Sequence, residues 1–157
     1  MNDIRQISFT NELRFARPRE QVFEAFIQSE KWFQVSYGED RLQRIVLERR
    51  VGGQIYEDWG DGAGVLYATI GWWDPPAGYA TASSMLGGGI TLNHRYEFEE
   101  DGDEATVLRH RFSAFGPISD EMAAGIEWHG SLQTWDEQLH SWIERGEVIA
   151  PPEYAMS

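Results

Sequence analysis

The chain contains no cysteine. That excludes disulfides, thiolate metal sites and cysteine nucleophiles. It is also poor in positive charge: 13 basic residues, of which Lys31 is the one lysine, stand against 26 acidic ones for a net charge of −13. Such a body repels phosphate backbones. Its densest basic group, Arg41, Arg44, Arg49 and Arg50, is interleaved with Glu39, Asp40 and Glu48, so no nucleic acid partner is expected. No apolar run approaches the roughly 18 residues that a membrane span needs. Met1 to Gln6 lacks the basic-then-apolar pattern of a signal peptide. The expectation is a cytoplasmic protein without membrane insertion. Glu97, Glu99, Glu100, Asp101, Asp103 and Glu104 miss the spacing of a calcium loop and read as a solvated hairpin turn.

Tryptophan, by contrast, is abundant, with seven in 157 residues, which favours a large aromatic core or a lined pocket. Trp128, Leu132, Trp135, Leu139 and Trp142 recur at alternating steps of four and three. This spacing predicts one amphipathic helix over 119–145 with a bulky stripe. The segments before it alternate or punctuate like strands. Strands are predicted over 4–15, 41–48, 54–59, 65–73, 79–85, 90–99 and 104–115, with turns at Gly52-Gly53, Gly60-Asp61-Gly62, Asp74-Pro75-Pro76 and Asp101-Gly102-Asp103. Between the first two strands, Pro18 opens a short helix carrying Val22, Phe23, Phe26 and Ile27, and Ser29 is placed to cap a second short turn. A run of hairpin-linked strands with helices at the ends indicates α+β. The expected domain spans 1–146, followed by a loosely ordered tail over 147–157.

Four local patterns carry a family resemblance. They are Pro18-Arg19-Glu20-Gln21-Val22-Phe23-Glu24-Ala25-Phe26, Val51-Gly52-Gly53-Gln54-Ile55-Tyr56, the stretch from Gly71 to Pro75-Pro76, and Gly125-Ile126-Glu127-Trp128-His129 leading into Leu132 and Leu139. In this order they resemble the helix-grip fold of the START-like SRPBCC superfamily. Within it they are similar to the branch containing the C-terminal domain of the heat-shock-protein-90 ATPase activator. Ile126 and Glu127 intervene where that branch places tryptophan directly after the glycine. The resemblance implies a curved antiparallel sheet of about six or seven strands around a long C-terminal helix, with a cavity between them. It implies no particular chemistry.

Strand parity then selects the wall of such a cavity. Leu92, His94, Tyr96 and Phe98 share one face of their strand; Leu108, His110, Phe112 and Ala114 share one face of the next. A hairpin centred on Gly102 would set His94 directly opposite His110. The expected ligand-binding residues are Leu92, His94, Tyr96, Leu108, His110, Phe112, Trp128, Leu132 and Trp135, and the candidate catalytic residues are His94 and His110. Convergence of His94, His110 and His129 would suit zinc, but without a spacing motif a hydrogen-bonded pair of neutral core histidines is preferred. No metal or cofactor is therefore expected. For 54–59 and 65–73 both faces carry aromatics, so parity stays open. Glu57 or Asp58 beside an inner histidine would form an acid–base pair, although solvent-exposed acids are the preferred reading. Three functional readings follow, in this order: a module enclosing a hydrophobic or aromatic small molecule, a cyclase-, hydratase- or hydrolase-type enzyme, and a chaperone-activator-like interaction domain. The tryptophan excess is compatible with a homodimer.

Overall fold

Alternation over the first dozen residues is realised as β1 (Ile4–Phe15), with Ile7, Asn11, Leu13 and Phe15 buried on one face. A computed structural model describes residues 3–154. After β1 come α1 (Arg19–Phe26), one-turn 3₁₀ segments at Ser29–Lys31 and Glu39–Arg41, and then β2 (Arg44–Leu47), β3 (Gln54–Gly60), β4 (Ala63–Asp74), β5 (Gly78–Ser83), β6 (Thr91–Glu100) and β7 (Thr106–Pro117). All seven strands pair antiparallel in one sheet of order β1-β7-β6-β5-β4-β3-β2. β1 and β2 are consecutive in the chain yet occupy opposite edges. The connection between them, residues 16–43, must therefore cross the sheet. It lays Val22, Phe23 and Phe26 of α1 against Tyr79, Phe98 and Leu108 in the larger core cluster. Ser29 caps nothing through its side chain; it is the first residue of its turn.

The single long helix expected over 119–145 is broken. α2 (Asp120–Gly130) begins at Ser119, whose hydroxyl accepts a hydrogen bond from the Met122 amide, and ends where Ser131 adopts extended backbone angles. A 3₁₀ turn (Leu132–Trp135), α3 (Asp136–His140) and a π-helical turn (Ser141–Arg145) follow. The break has a local cause. A Cβ on Gly130 would stand 3.1 Å from the Phe112 ring, so the chain is already pressed on the sheet at this point. Ser131 turns its hydroxyl to Asn11 of β1, and the indole N–H of Trp135 takes up the His129 carbonyl that the interrupted helix leaves free. Leu132, Trp135, Leu139 and Ile143 remain buried in the larger core beyond the break. Trp128, before it, is only half-buried and packs on Trp135 and on Tyr154.

The β6–β7 hairpin also differs in register from the expectation. His94 opposes Phe112, and Tyr96 opposes His110. The turn is closed by the Asp101 amide donating to the Ala105 carbonyl, which centres the hairpin on Asp103 rather than Gly102. Moving the centre by one residue moves the partner of every residue by two, and the inward face is unchanged. In β4 two bulges resolve the open parity. Tyr67 is skipped between the pairs Ile55–Ala68 and Tyr56–Leu66, and Gly71 between Ile70–Thr81 and Trp72–Ala80. Trp73 consequently packs edge-on to Phe23 in the core, while Trp72 lies outside beneath the Arg95 guanidinium.

Gly146, in the left-handed region at φ 68°, ends the helical segment. The Ile149 and Ala150 carbonyls then accept hydrogen bonds from Gln34 and Gln138. Positions 1–2 and 155–157 of the expected domain and tail lie outside the described residues. No helix of the described residues is long and apolar enough to cross a membrane. Because Leu139 is wholly enclosed by the larger cluster, Leu139→Ala is expected to cost about 2–5 kcal/mol of unfolding free energy, read from urea denaturation.

Candidate functional site

The space between the sheet and α2 is not filled. A cavity of about 540 Å³ opens there, walled by β2 to β7, by the crossing segment after α1 and by the helical segment from Met122 to Trp135. Of the nine residues expected to contact a ligand, Leu92, His94, Tyr96, Phe112, Leu132 and Trp135 line it. Leu108 and His110 lie wholly buried behind it, and Trp128 packs away from it toward Tyr154. These three depart from the expectation for one reason. Sharing a face of a strand or a stripe of a helix does not separate the layer that touches the cavity from the layer beneath. Trp32, Phe33, Val35 and Tyr37 of the crossing segment, with Tyr67, Ala68, Tyr79 and Thr81 of the sheet, also line it. Reading strand parity alone missed them. The crossing segment has no strand period, and the bulge at Tyr67 turns two consecutive β4 side chains inward.

A chain of side-chain hydrogen bonds runs from the helix break to this cavity. The Ser131 hydroxyl donates to Asn11 Oδ1, Asn11 Nδ2 meets His110 Nδ1 at 3.0 Å, and His110 Nε2 meets His94 Nδ1 at 2.9 Å. With the Asn11 amide nitrogen as donor, His110 Nδ1 is the acceptor. His110 then carries its proton on Nε2 and donates it to His94. The rings of His94, Tyr96 and His110 stack nearly parallel, at interplanar angles of 11–14°. Burial holds His94 neutral, its pKa lowered to about 4, and burial together with the neighbouring His94 lowers His110 to about 2. Asn11 was not expected in the site, although its position carried a signal: it is the one polar residue between Ile7 and Phe15 on the face they share with Phe9 and Leu13.

His129 faces the cavity but spends Nδ1 on the Gly125 carbonyl. Among the described residues, no group of three histidine, aspartate or glutamate side chains is placed to hold a metal ion.

The second polar centre overturns the reading of Glu57 as a solvated acid. Its carboxylate is completely buried. It accepts from the Ser36 hydroxyl at 3.0 Å, from the Tyr37 and Gly38 amides at 2.7 and 2.9 Å, from the Trp59 indole at 2.9 Å, and from the Tyr67 hydroxyl. Burial pushes its pKa up, but the donations from Tyr67, Trp59, Tyr37 and Gly38 prevail and bring it down to about 2. Gly38 is required here: a Cβ would stand 2.2 Å from the Trp59 indole nitrogen. The carboxylate thus clamps residues 36–38, beside the cavity, to β3 and β4. It is not joined to the histidines. Asp58, next to it, points outward to Arg44.

No protein-family model matches this chain, and no curated protein sequence matches it. Solved structures do match, by shape. A conserved protein of unknown function from Enterococcus faecalis superposes with a TM-score of 0.67 at 12% identity, over 98% of this chain and 82% of that one. A protein of unknown function from Staphylococcus aureus gives 0.63 at 14%, over 92% and 97%. Norcoclaurine synthase from Thalictrum flavum, in complex with dopamine and hydroxybenzaldehyde, gives 0.56 at 10%, over 92% and 90%. At these identities the likeness shows the fold, an α+β helix grip.

Glu57→Gln places an amide NH₂ among donors, so a loss of about 1–3 kcal/mol is expected in urea unfolding. Acid acts through the histidines. Because the native state resists protonating His94 and His110, their contribution is complete above pH 6.5 and is lost as pH falls from there, toward 4 for His94 and toward 2 for His110. His140 acts in the opposite sense. Burial lowers its pKa, but the Arg14 and Asp136 carbonyls and nearby carboxylates raise it overall, so its protonation favours the folded state. The measurement is therefore a comparison: the melting temperature of His94→Leu should fall less than that of the unaltered protein between pH 6.5 and 4.

Proposed function

We propose that this protein encloses a neutral, largely apolar or aromatic small molecule between its sheet and its C-terminal helical segment. The observation that carries this reading is the cavity. At about 540 Å³ it falls within the roughly 300–1,000 Å³ of small-molecule sites. Its walls are aromatic and aliphatic, with a few hydroxyls and two histidines and no aspartate, glutamate, lysine or arginine. An ion entering such a space would shed water without meeting an opposite charge, which disfavours charged ligands by several kcal/mol. The four sequence patterns support kinship with the chaperone-activator branch. From that kinship the proposal takes a cytoplasmic helix-grip domain and no chaperone partner.

A second reading, an enzyme of cyclase, hydratase or hydrolase type at the same cavity, draws on the neutral His94–His110 pair. Binding is preferred because His110 is buried behind His94 and the buried carboxylate at Glu57 is committed to five donors, which leaves no acid–base pair facing the cavity.

The test is a melting-temperature and tryptophan-fluorescence screen with neutral aromatics, polyketide-like polycycles and fatty acids. Neutral aromatics are expected to stabilise the protein and to perturb Trp135 emission. Leu92→Trp, which fills the cavity from the sheet side, is expected to abolish both effects while the protein stays folded. Absence of a shift from every apolar class would overturn the reading.

A further inference from the structure

The chain of hydrogen bonds behind the cavity wall has a direction, and its direction fixes what the wall offers to a ligand. The Ser131 hydroxyl donates to Asn11, Asn11 Nδ2 to His110, and His110 Nε2 to His94 Nδ1. With Nδ1 of His94 occupied as an acceptor, a neutral ring must carry its proton on Nε2. That nitrogen has no protein partner among the described residues. Arg19 Nε is the one buried side-chain nitrogen or oxygen among them left unpartnered, so His94 Nε2 is accessible, and the side to which His94 is open is the cavity. Tyr96, stacked against the same ring, also lines the cavity, and its hydroxyl forms no hydrogen bond to the described residues. Both groups are un-ionised donors, since burial lowers the histidine pKa and raises that of the phenol.

We propose that His94, with Tyr96 beside it, presents a preorganised N–H to a carbonyl- or quinone-type oxygen on a neutral aromatic ligand, and that Asn11 and His110 are positioning residues that hold His94 in the donating tautomer. The inference rests on the cavity-binding reading and narrows it to a ligand class, aromatic ketones and their kin. The sheet supplies the rigidity. Asn11 and His110 are direct partners in the β1–β7 register, and His94 sits one diagonal step away on β6. A donor fixed in this way loses little freedom when it engages a ligand oxygen.

The experiment uses two probes of nearly the same shape, 2-acetylnaphthalene and 2-isopropenylnaphthalene, which differ by oxygen against a methylene group. Each is titrated by fluorescence against the unaltered protein, His94→Leu and Asn11→Leu, and the infrared carbonyl stretch of the bound ketone is recorded. The ketone-to-alkene affinity ratio is expected to fall roughly three- to tenfold in His94→Leu, with alkene affinity retained. The carbonyl stretch of the bound ketone should lie below its value in hydrocarbon solvent. It should return toward that value in His94→Leu and, by a smaller step, in Asn11→Leu. The stretch reports the bond itself, so a structural effect of either substitution on overall affinity would not reproduce the pattern. An unchanged ratio and an unshifted stretch, with both probes still bound, would overturn the donor role and leave the cavity reading standing. Failure of both probes to bind the unaltered protein would overturn the ligand class proposed here, and the cavity reading falls with it only if the polycycles and fatty acids also give no shift.

Discussion

A buried carboxylate holds the cavity's margin in place. Glu57 takes five donors from three stretches of chain: Ser36 to Gly38 of the crossing segment, Trp59 of its own strand β3, and Tyr67 of β4. The need for it arises from topology. β1 and β2, consecutive in the chain, occupy opposite edges of the sheet, so the segment between them must pass across the sheet face, and beyond α1 it has only two one-turn 3₁₀ segments to stiffen it. Backbone amides stranded there would be costly if left without acceptors. A carboxylate fixed on a strand resolves that cost and anchors the segment at once. The Arg41 guanidinium stacked on the Trp59 indole at 4.1 Å closes the outside of the same knot.

The centre of the sheet works differently. Where the Glu57 site gathers donors onto one charge, the histidine chain spreads neutral hydrogen bonds over four residues on four segments of the protein: the helix break, β1, β7 and β6. Its first member is the serine at the helix break. Continuous helix through Ser131 would keep the backbone bonded along its own axis; the break frees the hydroxyl to reach β1 and seats Gly130 against Phe112. The break and the relay are thus one feature: the irregularity in the helix is where the helical segment is tied to the sheet by a polar contact rather than by packing alone.

Much of this architecture was legible in the residues. Strand positions, the inward set on β6 and β7, and the α+β helix grip follow from alternation, turn chemistry and order. What escaped has physical reasons. A three-four stripe reports which residues share a helix face, and it survives when a helix is interrupted for one residue, so Trp128 to Trp142 gave no sign of Ser131. The hairpin centre depended on one backbone hydrogen bond at Ala105, which no side-chain pattern encodes. β4 resisted a parity assignment because two bulges reverse its faces within six residues, from Tyr67 to Trp72. Glu57 and Asn11 were misread or passed over because polar side chains are ordinarily exposed. Each nonetheless interrupts an inward apolar alternation, Ile55 to Trp59 and Ile7 to Phe15. That interruption is the mark of a buried polar residue with an assigned partner.

The contrast between the body and its cavity bears on what the cavity accepts. The chain carries a net −13, yet the cavity wall carries no formal charge, and its two histidines facing that space differ in how their nitrogens are used. An anion would be opposed twice, by the field outside and by the absence of a counter-charge within. A cation would be drawn to the surface but would then lose its hydration for a wall of rings and hydroxyls, where attraction to aromatic faces recovers only part of the loss. A neutral ligand avoids both penalties. What then distinguishes one neutral ligand from another is the small set of polar atoms that remain unsatisfied at the wall, because an apolar surface discriminates poorly between molecules of similar size. On the binding reading proposed above, selectivity would reside in the sheet's polar column, and the apolar majority of the wall would set how large a molecule fits.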